Sequence, residues 1–144
     1  MAQTAVGLGD GVQQTLLHAA RAARSNAHAP YSGFRVGAAV LDERGEVHAG
    51  CNVENAAYPQ GLCAEAVALG AMVAAGGRRA VALLVVADGS ELVTPCGGCR
   101  QTLREFAAPD TPVLLADGRG IQSWLTLDQL LPYSFGPAHL DRRP

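Results

Sequence analysis

Several features are scarce or missing from these 144 residues, and each absence removes a class of protein. The most apolar run, Ala80 to Ala87, is far too short to cross a bilayer, so no membrane partner is expected. The start of the chain does not combine a basic stretch, an apolar stretch and a small-residue cleavage site, so a soluble, cytoplasmic protein is expected. Charged residues make up only 17% of the chain, with a net charge of −2 and mixed signs. The longest basic cluster is the tail pair Arg142-Arg143, too little to follow a nucleic acid backbone, so no nucleic acid partner is expected. No internal repeat or low-complexity tract is visible, which excludes solenoids and linker-rich chains.

What the chain does have is apolar residues, 49% of the total, in a length that fits one domain with a real core. That proportion argues against disorder and for surface hidden in an oligomer. Residues 1–10 are Gly-rich and polar and are expected to be flexible. In a reducing compartment the 4 cysteines are not read as two disulfides, which leaves metal binding or thiol chemistry.

Periodicity predicts a helix over Val12 to Ala27, ended by His28-Ala-Pro-Tyr-Ser-Gly33. Phe34 to Leu41 and Glu46 to Cys51 read as strands joined by the turn Asp42-Glu-Arg-Gly45. Asn52 to Gly61 reads as a loop and Leu62 to Ala75 as a largely buried helix stopped by Gly76-Gly77. Ala80 to Ala87 has the continuous apolar pattern of a central strand covered on both faces. A helix from Pro95 to about Ala107, short strands at Val113–Ala116 and Ile121–Leu125, and a helical turn at Thr126–Leu131 complete the order. The fold class that follows is α/β: a three-layer α/β/α arrangement around a mixed five-stranded sheet.

Chemistry concentrates in two places, Cys63-Ala64-Glu65 and Pro95-Cys96-Gly97-Gly98-Cys99. Cys96 and Cys99 are three apart and share one helix face. Helix N-termini carry unpaired N–H groups and the positive end of the dipole, which favours thiolate there. Three sulfurs leave a Zn²⁺ ion one coordination position for water, and Glu65 beside it fits a proton shuttle. Alone, each motif has a plainer reading: C-x-x-C is shared by zinc and redox sites, and Glu65 in an Ala-rich helix is an ordinary solvated carboxylate. Cys51 either packs as a small apolar residue or completes a closed four-cysteine structural site.

More of the chain joins these motifs into a resemblance. Ala29 to Ala38, Gly50 to Tyr58 and Pro95 to Gln101 all resemble the small homotetrameric, zinc-dependent cytidine deaminases, with similarity from about Pro30 to Phe135. The resemblance implies one deaminase domain over residues 1–144, one Zn²⁺ per chain on Cys63, Cys96 and Cys99, and a small-molecule nucleoside as substrate. It implies hydrolytic deamination of cytidine and 2′-deoxycytidine to uridine and 2′-deoxyuridine in pyrimidine salvage, a zinc-activated water attacking C4 while Glu65 moves the protons. It assigns Asn52 and Glu54, with the backbone of Val53, to the ribose hydroxyl and Phe34 to the pyrimidine ring. It also implies that Ala56, Tyr58 and Phe135 contact a neighbouring subunit's site in a homotetramer. A deaminase of a cytosine-containing antibiotic such as blasticidin S, and a zinc-stabilised binding module, are the alternatives. One departure stands out: Ala66 follows Glu65 where many family members carry Arg.

Overall fold

The computed structural model describes residues 7–141. Of the N-terminal residues expected to be flexible, 1–6 lie outside the described residues, and Asp10 already opens the first helix. The elements in chain order are α1 (Asp10–Arg24), β1 (Val36–Asp42), β2 (Val47–Cys51), α2 (Ala64–Ala74), β3 (Ala80–Ala87), α3 (Gly97–Phe106), β4 (Pro112–Asp117), β5 (Gly120–Thr126) and α4 (Leu127–Leu130). Single 3₁₀ turns lie at Tyr58–Gln60 and Pro137–His139. The strands form one sheet in the order β2-β1-β3-β4-β5. Only β3 and β4 pair in parallel; β1–β2, β1–β3 and β4–β5 are antiparallel.

Strand alternation sorts the core onto the two sheet faces. Ala39, Leu84, Val86 and Leu114 pack with Leu16, Leu17 and Ala20 of α1. Ala38, Val40, Leu83, Val85, Val113 and Leu115 pack with α2, α3 and α4 through Ala68, Leu69, Met72, Leu103 and Leu127. Two glycines allow the helices to sit this close. A Cβ at Gly37 would lie 2.0 Å from the carbonyl oxygen of Ala20 in α1, and one at Gly50 would lie 2.7 Å from that of Ala64 in α2.

The topology decides where helices begin. Because β1 is antiparallel to both β2 and β3, those two strands run in the same direction with β1 between them. The connections out of β2 and β3 lead to α2 and α3, so both helix N-termini come to one end of the sheet, where open α/β sheets place their sites.

Candidate active site

Both helices start about two residues later than the sequence pattern predicts. Leu62 is held extended by a pair of backbone hydrogen bonds with Val53, both 2.9 Å, so α2 begins after it with Cys63 as N-cap. Cys96 is likewise the N-cap of α3, which places Cys99 in its first turn. The sulfurs of Cys63, Cys96 and Cys99 all lie within 4.8 Å of one another. Cys63 and Cys96 are 3.8 Å apart and Cys96 and Cys99 3.5 Å, and none is in a disulfide. Sulfurs sharing a tetrahedral zinc at ordinary bond lengths stand about 3.8 Å apart, so the donor set fits that ion. Cys51, at the end of β2, is not one of this group, and the closed four-cysteine arrangement therefore does not form.

The expectation that both helix N-termini would favour thiolate holds for one sulfur only. The amide of Cys99, aimed at the Cys96 sulfur, draws that thiol below its ordinary value. Burial pushes Cys63 up, and burial with the adjacent Glu65 carboxyl pushes Cys99 far up. Desolvation and crowding of like charge outweigh the helix dipole there. Backbone dipoles alone therefore do not hold three thiolates; a divalent cation would reverse the balance. Ala66 is half-buried in the first turn of α2 and brings no charge.

Glu65 is 5% exposed, with its carboxyl hydrogen-bonded to the Cys99 thiol. Burial raises its proton affinity, as a group that must accept and return protons requires. Beside it opens a cavity of about 380 Å³, lined by Phe34, Asn52, Val53, Glu54, Cys63, Glu65 and Cys96 among others. That volume lies within the range of small-molecule sites.

Asn52 and Glu54 have work within the fold. The Asn52 amide donates to the Phe34 carbonyl at 2.8 Å and accepts from the Val36 amide at 2.9 Å. Glu54 accepts from the amides of Tyr31 at 2.9 Å and Ser32 at 3.1 Å and from the Ser32 hydroxyl. The Ser32 hydrogen bonds hold its carboxyl below the usual range. By count of lone pairs and N–H groups, Asn52 keeps one free donor and Glu54 one acceptor position. Those two match what a sugar hydroxyl offers. Both backbone groups of Val53 are bonded to Leu62 while the residue lines the cavity.

Ala56, Tyr58 and Phe135 do not line this cavity. Ala56 is exposed on the loop, Tyr58 stands 75% exposed with an edge-on contact to Tyr31, and exposed Phe135 stacks on His139. The structure adds residues the motifs did not single out. Ser32 orients Glu54, and Val93 and Thr94 form the wall next to Cys96. Thr94 sits directly before Pro95, but a threonine before a motif carries no distinct signal.

The comparisons agree with this geometry. The family profile "Cytidine and deoxycytidylate deaminase zinc-binding region" matches residues 11–115. A cytidine deaminase of Sporosarcina psychrophila is 42% identical over 127 residues, 88% of this chain and 93% of the relative. One from Halalkalibacterium halodurans is 44% identical over 123 residues, 85% of this chain and 93% of the relative. The crystal structure of cytidine deaminase from Burkholderia pseudomallei superposes with a TM-score of 0.79 at 42% identity, covering 85% of this chain and 98% of that one. With the profile over most of its length and relatives above 40% identity, the chain belongs to the cytidine and deoxycytidylate deaminase family, whose members carry a zinc-binding region.

Proposed function

We propose that this protein hydrolytically deaminates cytidine and 2′-deoxycytidine to uridine and 2′-deoxyuridine, releasing ammonia, as a step of pyrimidine salvage. The observation that carries the reading is the buried Glu65 beside the three-sulfur cluster, at the side of a cavity of nucleoside size. Cys63, Cys96 and Cys99 would hold one Zn²⁺ per chain. When bound, that ion supplies Lewis acidity that makes water acidic enough to react near neutral pH. Glu65 takes one proton from the water that adds to C4 and delivers it to N3. It then takes the remaining proton from the new C4 hydroxyl and passes it to the amine, which leaves as ammonia as the C4 carbonyl forms. Phe34 packs on the pyrimidine. Asn52 donates to the ribose hydroxyl while Glu54 accepts from it, and Val53 closes the wall between them.

The functional unit proposed is a single deaminase domain over residues 1–144, cytoplasmic, assembled as a homotetramer. Exposed aromatic side chains at Tyr58 and Phe135 support contacts with a neighbouring subunit, with exposed Ala56 two residues before Tyr58. No helix among the described residues is long and apolar enough to cross a membrane. The test is ammonia release from cytidine paired with zinc content. The expected result is turnover with one zinc per chain; a chain holding one zinc that leaves cytidine intact would overturn the reading.

A further inference from the structure

Cys96 and Cys99 are separated by Gly97 and Gly98, both exposed. A Cβ at either glycine meets nothing within 4 Å, and neither has positive φ. The pair is therefore not required by crowding or by backbone conformation. Two successive glycines leave this turn the greatest backbone freedom to lose. Restraint from the helix cap is limited: the Cys99 amide faces the Cys96 sulfur, but α3 has no side-chain cap hydrogen bond. Yet two sulfurs carried by this turn must stay in register.

Arg100, half-buried and directly after Cys99, turns its guanidinium back across the turn. Nε donates to the Pro95 carbonyl at 2.7 Å, Nη2 to the Thr94 hydroxyl at 3.0 Å, and Nη1 to the Leu130 carbonyl at 2.7 Å. Pro95 immediately precedes Cys96, Thr94 lines the cavity, and Leu130 ends α4 within the core. One planar fork thus ties the approach to the metal turn onto a fixed part of the protein. A lysine ammonium cannot span the same three acceptors.

We propose that Arg100 is a positioning residue of the metal centre, its guanidinium restraining the Gly97-Gly98 turn so that Cys96 and Cys99 are held ready for the ion. The inference rests on reading the three cysteines as zinc ligands. Its test is the rate at which zinc passes from the loaded protein to the chelator 4-(2-pyridylazo)resorcinol, with thermal unfolding recorded in parallel. Arg100→Lys and Arg100→Gln should both release zinc about 10- to 100-fold faster than the unchanged chain, as losses of supporting contacts to metal ligands do. Lys should rescue little, because the fork matters more than the charge. Gly97→Ala in the otherwise unchanged chain, which does not depend on the Arg100 variants folding, should slow release about two- to fivefold.

The inference is overturned if the unchanged chain holds one zinc and both Arg100 variants release it at the same rate, even with a lowered melting temperature. Release from Gly97→Ala as fast as from the unchanged chain also overturns it, because the turn then has no freedom to restrain. A chain that takes up no zinc at all would instead refute the reading of the three cysteines.

Discussion

The two helix N-termini that make the metal site reach the same place by different means. At α2, Cys63 is followed by Ala64, fully buried, and Glu65, 5% exposed, so packing holds the turn. Gly50 lets that turn lie against β2 so closely that no side chain fits between them. At α3, Cys96-Gly97-Gly98 is exposed, and hydrogen bonds from Arg100 do the holding. The difference teaches that a carboxylate which must stay dry needs a packed helix start. A turn whose task is to wrap two sulfurs around an ion can remain open if something clamps its base.

The largest effect should come from the packed side. Glu65→Ala is expected to lower turnover of cytidine by at least about 10²- to 10⁴-fold, the usual share of a positioned proton carrier. Zinc content should stay at one per chain, read by metal analysis beside ammonia release. Loss of zinc in this variant would mean that Glu65 belongs to the metal's binding and not to proton transfer.

Cys99→Ser and Cys63→Ser set one turn against the other. Both should lose zinc, but Cys99 is buried and Cys63 exposed. The hydroxyl at position 99 should therefore cost about 1–3 kcal/mol of stability in denaturant titrations of the metal-free proteins, and that at 63 much less. Equal costs would erase the contrast.

Gly50→Ala strikes the contact that seats α2. Its Cβ would lie 2.5 Å from the Ala68 amide nitrogen and 2.7 Å from the Ala64 oxygen, so backbone must shift. The expected cost is about 1–3 kcal/mol, with a fall in turnover because the same shift moves Cys63 and Glu65. Unchanged turnover with lowered stability would show that the site tolerates movement of α2.

The smallest effect on activity should come from the far end of that helix. The Asp42 side chain, 0% exposed, accepts from Arg44 and pairs with His48, while Arg44 also reaches the Ala75 carbonyl at the end of α2. Burial alone would raise the Asp42 carboxyl, but the His48 and Arg44 side chains and the Glu46 and Arg44 amides overcome it and hold it well below the usual carboxylate range. A group depressed on folding stabilises above its unfolded value and loses that contribution as pH falls toward the folded one. Asp42→Asn should therefore unfold earlier than the unchanged chain near pH 7, with the gap closing below about pH 4. Turnover at neutral pH should change little, since the cavity lies at the other end of α2. A constant gap across that pH range would remove the charge of Asp42 from the explanation.

Much of the fold was legible because its signals are local. Ala80–Ala87 forms β3 with the bounds its apolar run predicts, and the turn after Asp42 joins β1 to β2 as read. Cys63, Glu65, Cys96 and Cys99 were legible as a group because few chemistries use three thiols and a carboxylate in that spacing. The start of α2 was missed by two residues, since the Val53–Leu62 pairing that keeps Leu62 extended is a tertiary contact. Ser32 and Arg100 were also invisible as site residues, because their partners lie in the spatial arrangement of Glu54, Pro95 and Leu130.

By itself the sequence determined the donor set, the alternation that gives each strand two faces, and the absence of charge after Glu65. Those follow from residue identity and short-range period, and no fold could change them. Only the tertiary structure decided that β2 and β3 run the same way on either side of β1, which brings two helix starts to one end of the sheet. It also decided which sulfurs are buried, since desolvation depends on everything packed around a group, and so why the Cys99 amide prevails at Cys96 while desolvation prevails at Cys99.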